Sequence, residues 1–291
     1  MIQGIIKLMV IAILTCGIIF PQAFDDLKID RVSAGHKFTE GPVWSAEGFL
    51  LFSDVPNDKI HKFVPGKGTE LYRDNSHGAN GNGMDDKGRL LSCESRTRRL
   101  VRETKGQIEV LAEKWNGTPL NAPNDITIRK DGHIWFTDPA FGEQADKKQM
   151  DYYGVYHVTP KGILEQALKM KTRPNGIAVS PNGKILYVSN SDERNVRAYD
   201  IDGKGALSGE RIFVSGVDGS PDGIKTDEKG NVYVTGNEIF IYSPQGKLIR
   251  NLRIPEVPRN LAFGDADFQT LYVTAFTSVY RVRMPFKGAQ P

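Results

Sequence analysis

The chain is poor in cysteine: among 291 residues only Cys16 and Cys93 occur. An exported form that has lost its N-terminal segment keeps Cys93 alone, which excludes an internal disulfide and a thiolate zinc site. Long blocks of one charge are missing too. Net charge is +3, and the densest basic cluster, Arg96 to Arg102, alternates as a solvated strand does, so nucleic acid is set aside as a partner. No Gly-x-Ser-x-Gly elbow is present, which argues against a serine hydrolase of that class. The segment shaped most like a calcium loop, Asp200 to Arg211, has Lys204 at its fifth position and Arg211 at its twelfth, so it fails the EF-hand pattern. No long amphipathic helix is evident. The charge-free N-terminal stretch behind Lys7, Leu8 to Phe20, has 13 residues, short of the ~20 that span a bilayer. Followed by Pro21-Gln22-Ala23, it predicts a secretory signal over residues 1–23. The expectation is an exported protein, periplasmic or secreted, with no stable membrane association once the signal is cleaved. It would be a monomer or a weak oligomer. A retained anchor is the alternative.

What the chain does have is turns. Its 30 glycines and 16 prolines are spread along the whole length. "NAPNDITIRKDGHIWFTDP" (Asn121 to Pro139) reads as two strands about a turn at Asp131-Gly132, with Asn124 eight residues before the turn glycine. The same offset links Glu40 to Gly48, Asn80 to Gly88, Asn175 to Gly183 and Asp222 to Gly230. A sixth unit keeps the length from Asn260 but carries Phe268 in place of the glycine. A hydrophobic strand follows each turn, from "FLLFSD" to "QTLYVTA", and the anchors recur every 38 to 51 residues. Four-stranded units of this size are β-propeller blades. The predicted fold is therefore all-β, a single six-bladed β-propeller of four-stranded blades around a central channel, spanning residues 24–291. Leu27 to Ala34 is expected to supply the outer strand of the last blade and so close the ring.

In such a ring the anchors Glu40, Asn80, Asn124, Asn175, Asp222 and Asn260 share one depth in the channel. Turn chemistry accounts for single Asn-Gly and Asp-Gly pairs, but not for Glu40, nor for Asn260 before Leu261. A ring of carboxylate and amide oxygens suits a hard cation such as Ca²⁺, with Glu40 and Asp222 balancing its charge. Without a cation those two buried charges would be costly. The five histidines share no anchor offset, and of them His77, just ahead of Asn80, is positioned to reach the channel.

The motifs "FTEGPVW", "PND…GHIWFTDP…YYGVYHV", "RPNGIAVSPNGKILYVSNS", "SPDGIKTDEKGNVYVTG" and "NLAFGDADFQTLYVTAF" resemble the gluconolactonase/regucalcin-like (SMP-30/gluconolactonase/LRE-like) family of six-bladed propellers, over nearly all of residues 30–285. The resemblance implies a divalent ion, usually calcium, held by Glu40, Asn124, Asn175 and Asp222. It also implies a hydrolase that opens a small-molecule lactone, with Asp222 as general base or nucleophile. Asn80, Asn124, Asp125 and Asn260 are then expected to hold water or substrate hydroxyls. The chain departs from the pattern at Ala122, where some members carry a substrate-contacting arginine, and at Asp265, where the family has glycine. A non-catalytic propeller with the ion as a structural plug is the alternative. The insert Ala140 to Tyr153 in the third unit is either a lid over the channel or a surface excursion.

Overall fold

The computed structural model describes Phe24 and residues 27–290; the secretory segment read over residues 1–23 lies outside them. Six four-stranded antiparallel sheets stand around a channel. Blade 1 comprises Thr39–Ser45, Phe49–Asp54, Lys59–Val64 and Gly68–Asp74. Blade 2 comprises Ala79–Met84, Leu90–Glu94, Arg99–Thr104 and Gln107–Ala112. Blade 3 is built from Ile126–Ile128, Ile134–Asp138, Tyr153–Val158 and Leu164–Met170. Blade 4 runs through Pro174–Val179, Ile185–Asn190, Asn195–Ile201 and Leu207–Ser215. Blade 5 holds Ile224–Thr226, Val232–Thr235, Ile239–Tyr242 and Leu248–Leu252. In blade 6, Pro258–Gly264, Thr270–Ala275 and Ser278–Arg283 are joined by the N-terminal strand Ile29–Ala34, which pairs antiparallel with Ser278–Arg283. The six-bladed fold and its closure by the first strand match the expectation.

Burial follows each strand's place in its blade. Second strands have a neighbouring blade on both faces, and Leu90–Glu94, Ile134–Asp138 and Thr270–Ala275 are buried at every residue. That is why they read as continuous apolar runs rather than alternating ones. Outer strands face solvent: Gly68–Asp74 is almost wholly exposed, and Gln107–Ala112 is exposed over its first four residues. Large side chains fill the wedges between blades. Trp135 of blade 3 packs with Ile177, Val179, Leu186 and Val188 of blade 4. Trp44 of blade 1 stacks on Tyr272 of blade 6 with ring centroids 5.4 Å apart. Each such buried side chain contributes about 2 kcal/mol.

The blades are also tied together around the channel, and these ties set its register. A hydroxyl on a second strand donates to a carbonyl on, or just ahead of, the first strand of the next blade. Ser53 donates to the Asn80 carbonyl at 2.9 Å, Thr137 to Asn175 at 2.7 Å, Ser189 to Asp222 at 2.7 Å and Thr235 to Arg259 at 2.8 Å. Backbone N–H groups add a parallel set: Gly81 donates to the Asn124 carbonyl, Gly176 to Asp222 and Gly223 to Arg259. Such approaches leave no room for a side chain. A Cβ on Gly41 would lie 1.9 Å from the Asn80 carbonyl oxygen, and one on Gly176 2.1 Å from that of Asp222. The glycine after each of these anchors is therefore a blade contact and not merely a turn residue.

The basic cluster Arg96–Arg102 is consumed by pairing within the protein. Arg96 pairs with Asp58 and Glu143, Arg99 with Glu94, and Arg102 with Glu109. Arg98 donates to the Asn121 and Lys147 carbonyls and to Gln144 Oε1, which pins the insert between the second and third strands of blade 3.

Candidate active site and cation centre

At one end the channel opens into a cavity of about 650 Å³. Its floor is formed by one residue from each blade: Glu40, Asn80, Asn124, Asn175, Asp222 and Arg259. Five of the six anchors read from the sequence are thus brought together as expected. The sixth is not Asn260 but the residue before it. The turn of blade 6, closed by the Phe268 N–H on the Asp265 carbonyl, has the length of its counterparts, but the strand leading to it carries one more residue, so Arg259 stands nine residues before Phe268 where the other anchors stand eight before glycine. The hydrogen bonds to the Arg259 carbonyl confirm the register. Proline offered the signal that counting missed: Pro258 precedes Arg259 as Pro123, Pro174 and Pro221 precede their anchors.

Asn260 and Asp125 therefore occupy the position that glycine holds after the other four anchors, and neither is among the residues that line the cavity. Both are buried beneath the floor, with their acceptors engaged. Asp125 accepts from the Ile126 N–H at 2.9 Å and from the Ile177 N–H at 3.2 Å. Asn260 Oδ1 accepts from the Leu261 N–H at 2.8 Å. The expected substrate contacts of these two residues are replaced by backbone support. His77 is exposed and likewise does not line the cavity. The insert does: Phe141, Gly142, Glu143 and Gln144 form part of the wall.

The floor is electrostatically unbalanced. Burial pushes Glu40 up to about 7, and the Asp125 carboxylate adds to the rise, against hydrogen bonds from the Gly41 N–H and Asn260. Asp222 is pushed well above the usual carboxylate range, first by burial and then by the charges of Glu40 and Asp125, while Arg259 and Asn175 oppose the rise. The Asn175 amide is fixed by its NH₂ group, which donates to Ser191 Oγ at 3.0 Å; that hydroxyl donates in turn to the Pro221 carbonyl at 2.8 Å. Its oxygen is buried and has no partner among the described residues. Buried acceptors are otherwise satisfied almost without exception. An orphaned amide oxygen beside two carboxylates reluctant to ionise is the donor set a hard divalent cation fits.

A second group of potential ligands, His36, Asp54 and His61, brings its donor atoms within 4.8 Å of one another. It is absent from the cavity lining. Asp54 is held low, at about 2, against its own burial by His36, Asn57 and the N–H groups of Phe38 and Lys37. Its oxygens accept those two N–H groups and the Asn57 amide, so this carboxylate anchors the approach to blade 1.

Comparison with known proteins agrees with this architecture. Residues 38–277 match the SMP-30/Gluconolactonase/LRE-like region. A gluconolactonase of Zymomonas mobilis is 32% identical over 288 residues, covering 88% of this chain and 81% of the relative. The solved gluconolactonase of Xanthomonas campestris superposes with a TM-score of 0.84 at 28% identity, over 90% of this chain and 91% of that one. A calcium-binding regucalcin from Agrobacterium tumefaciens shares the fold, with a TM-score of 0.76 at 18% identity over 88% and 94% of the two chains. By the extent of the match and by its blade-for-blade architecture, the chain belongs to the SMP-30/gluconolactonase/LRE-like family.

Proposed function

We propose that the protein is a divalent-metal-dependent lactonase, with calcium as the ion and a sugar-type lactone as substrate. The observation that carries this reading is the orphaned Asn175 oxygen set among Glu40, Asn124 and Asp222 on the floor of a substrate-sized cavity. Those four residues would hold the ion. A bound divalent cation polarises an ester carbonyl and stabilises charge developing on its oxygen, worth several kcal/mol. Gluconolactonase relatives that span the chain support a lactone as substrate.

Asp222 is the residue assigned to the attacking water. Its desolvated surroundings and the neighbouring Glu40 raise its affinity for a proton, which suits a general base. Nucleophilic attack by the same carboxylate is the variant of the step that isotope labelling would separate. Asn80 and Asn124 face the cavity and orient ring hydroxyls. Phe141 and its neighbours in the insert wall off one side from bulk water.

The test is acid release at constant pH from a panel of aldonolactones, with and without chelator. Hydrolysis that stops on chelation and returns with calcium is expected. If the ion-loaded protein opens no lactone, the reading fails. Asp222→Asn should abolish turnover while the circular-dichroism spectrum is kept; full activity in that variant would remove Asp222 from the mechanism.

A further inference from the structure

Five floor residues present oxygen; the sixth, Arg259, presents a cation. Its guanidinium is gripped by two aromatic side chains, with its central carbon 4.2 Å from the Phe276 ring centroid and 5.2 Å from that of Phe38. The two rings meet edge to face at 5.6 Å, and both line the cavity. Phe276 holds its place in a two-residue hairpin turn with φ of 42°. That left-handed conformation is normally left to Gly, Asn or Asp. The chain thus accepts local backbone strain at a position that puts an aromatic face against the guanidinium.

The grip holds Arg259 away from the nearest carboxylate. Its Nη1 is 3.9 Å from Asp222 Oδ2, outside hydrogen-bond range, and its Nε is buried without a partner among the described residues. Arginines that serve as internal counter-ions in this protein sit much closer: Arg99 to Glu94 at 2.6 Å, Arg89 to Asp85 at 2.7 Å and Arg73 to Glu94 at 2.9 Å. Arg259 is therefore oriented by stacking and keeps its donors for something else. The planar fork matches an anionic group bidentately. Lys37, next to Phe38, lines the same cavity and adds a second positive charge. Arg96, the other cation of the lining, is already engaged by Glu143 and Asp58.

We propose that Arg259, held in the corner formed by Phe38 and Phe276, forms an anion subsite beside the reacting centre, and that the substrate is a lactone carrying a negatively charged substituent on its ring or side chain. The proposal rests on the lactonase reading for the word substrate, but not for the subsite. Carboxylate, phosphate and sulfonate share the recognising chemistry, and the experiment separates them.

Steady-state rates are measured for one neutral aldonolactone and for congeners whose terminal carbon bears a carboxylate, a phosphate or a sulfonate. The wild-type protein should favour at least one charged congener over the neutral lactone through a lower KM, and added salt should erode that preference. Arg259→Met should cost on the order of 10- to 100-fold in kcat/KM on the charged lactone, mostly in KM, and much less on the neutral one. Arg259→Lys keeps the charge and a long stem against the rings; it should recover part of the loss, which guards against a variant that merely misfolds. An equal loss on both lactones would overturn the proposal and make Arg259 a partner of Asp222 instead. A wild-type protein without preference for any charged congener would overturn it too. A binding arm needs no turnover: with calcium present, calorimetry compares the open-chain aldarate dianion with the aldonate. Tighter aldarate binding that disappears in Arg259→Met upholds the subsite even if no lactone is opened, whereas equal binding of the two acids refutes it.

Discussion

Chelator-treated protein should become less stable as pH rises from about 4.5 to about 7, and Glu40 is the reason. Its carboxyl titrates near 4.5 in the unfolded chain and is pushed up to about 7 in the folded one by burial. Across that window the folded state retains a proton that the unfolded state releases. The stabilisation is complete below the unfolded value and is lost as pH climbs through the folded one. The gap between 4.5 and about 7, at ~1.4 kcal/mol per pH unit, is worth about 3 kcal/mol. Asp222 acts in the same direction. The assay is urea unfolding of wild type and Glu40→Gln in chelator at pH 5 and at pH 8. The amide of the variant cannot titrate; Asp54 at about 2 and Asp138 at about 7 are common to both proteins and cancel in the difference, whereas Asp222, which the Glu40 charge helps to raise, is raised less in the variant and adds to the difference in the same direction. The advantage of wild type over the variant should shrink by about 3 kcal/mol between the two pH values. Calcium added at pH 8 should restore it through mass action, in wild type far more than in the variant. A difference that stays constant to within about 0.5 kcal/mol, the scale of ordinary surface effects, would refute the claim that folding desolvates Glu40.

Gly41→Ala should destabilise by more than about 3 kcal/mol, because the new Cβ falls 1.9 Å from the Asn80 carbonyl oxygen of the next blade; thermal unfolding checks it, and a near-neutral result would contradict the blade contact. Arg98→Ala removes the side chain that holds Gln144 and Lys147 of the insert, together with Asn121, against blade 2, so limited proteolysis within residues 140–153 should quicken and KM should rise several-fold with kcat less affected. Trp44→Ala removes the ring stacked on Tyr272 across the ring-closing blade junction and should cost about 3–5 kcal/mol in urea unfolding.

Fold and site were legible in the sequence to different degrees, for physical reasons. Blade number was readable because each blade repeats one anchor, one tight turn and one doubly covered strand, and sterics at the glycines keep that spacing regular. Register in the last blade was not readable by counting back from the turn, since the turn keeps its length while the paired strands of that blade each carry one more residue between it and Arg259. The charge of Asp125 suggested a ligand contact; its actual partners, the Ile126 and Ile177 N–H groups, include one 52 residues away that no local pattern announces. The aromatic corner shows the same limit. Phe38 and Phe276 lie at opposite ends of the chain and meet only because the ring closes.

That closure has a consequence for how the molecule is made. Ile29–Ala34, the first of the described strands in chain order, pairs with Ser278–Arg283, the last of them. Arg31 waits for Tyr280, 280 − 31 = 249 positions downstream. Until then the nascent chain can stack blades 1 to 5 but carries two open sheet edges, and each is a template for another copy of itself. Contacts so distant in sequence form slowly, so the hazardous interval is set by the time taken to complete and close the ring. Once closed, the start of the first strand lies beside the end of the last, Ile29 opposite Val282. Joining them and reopening the chain at the exposed turn of another blade would move the seam without changing a contact in the channel, turning a late, two-ended assembly problem into one whose timing can be chosen.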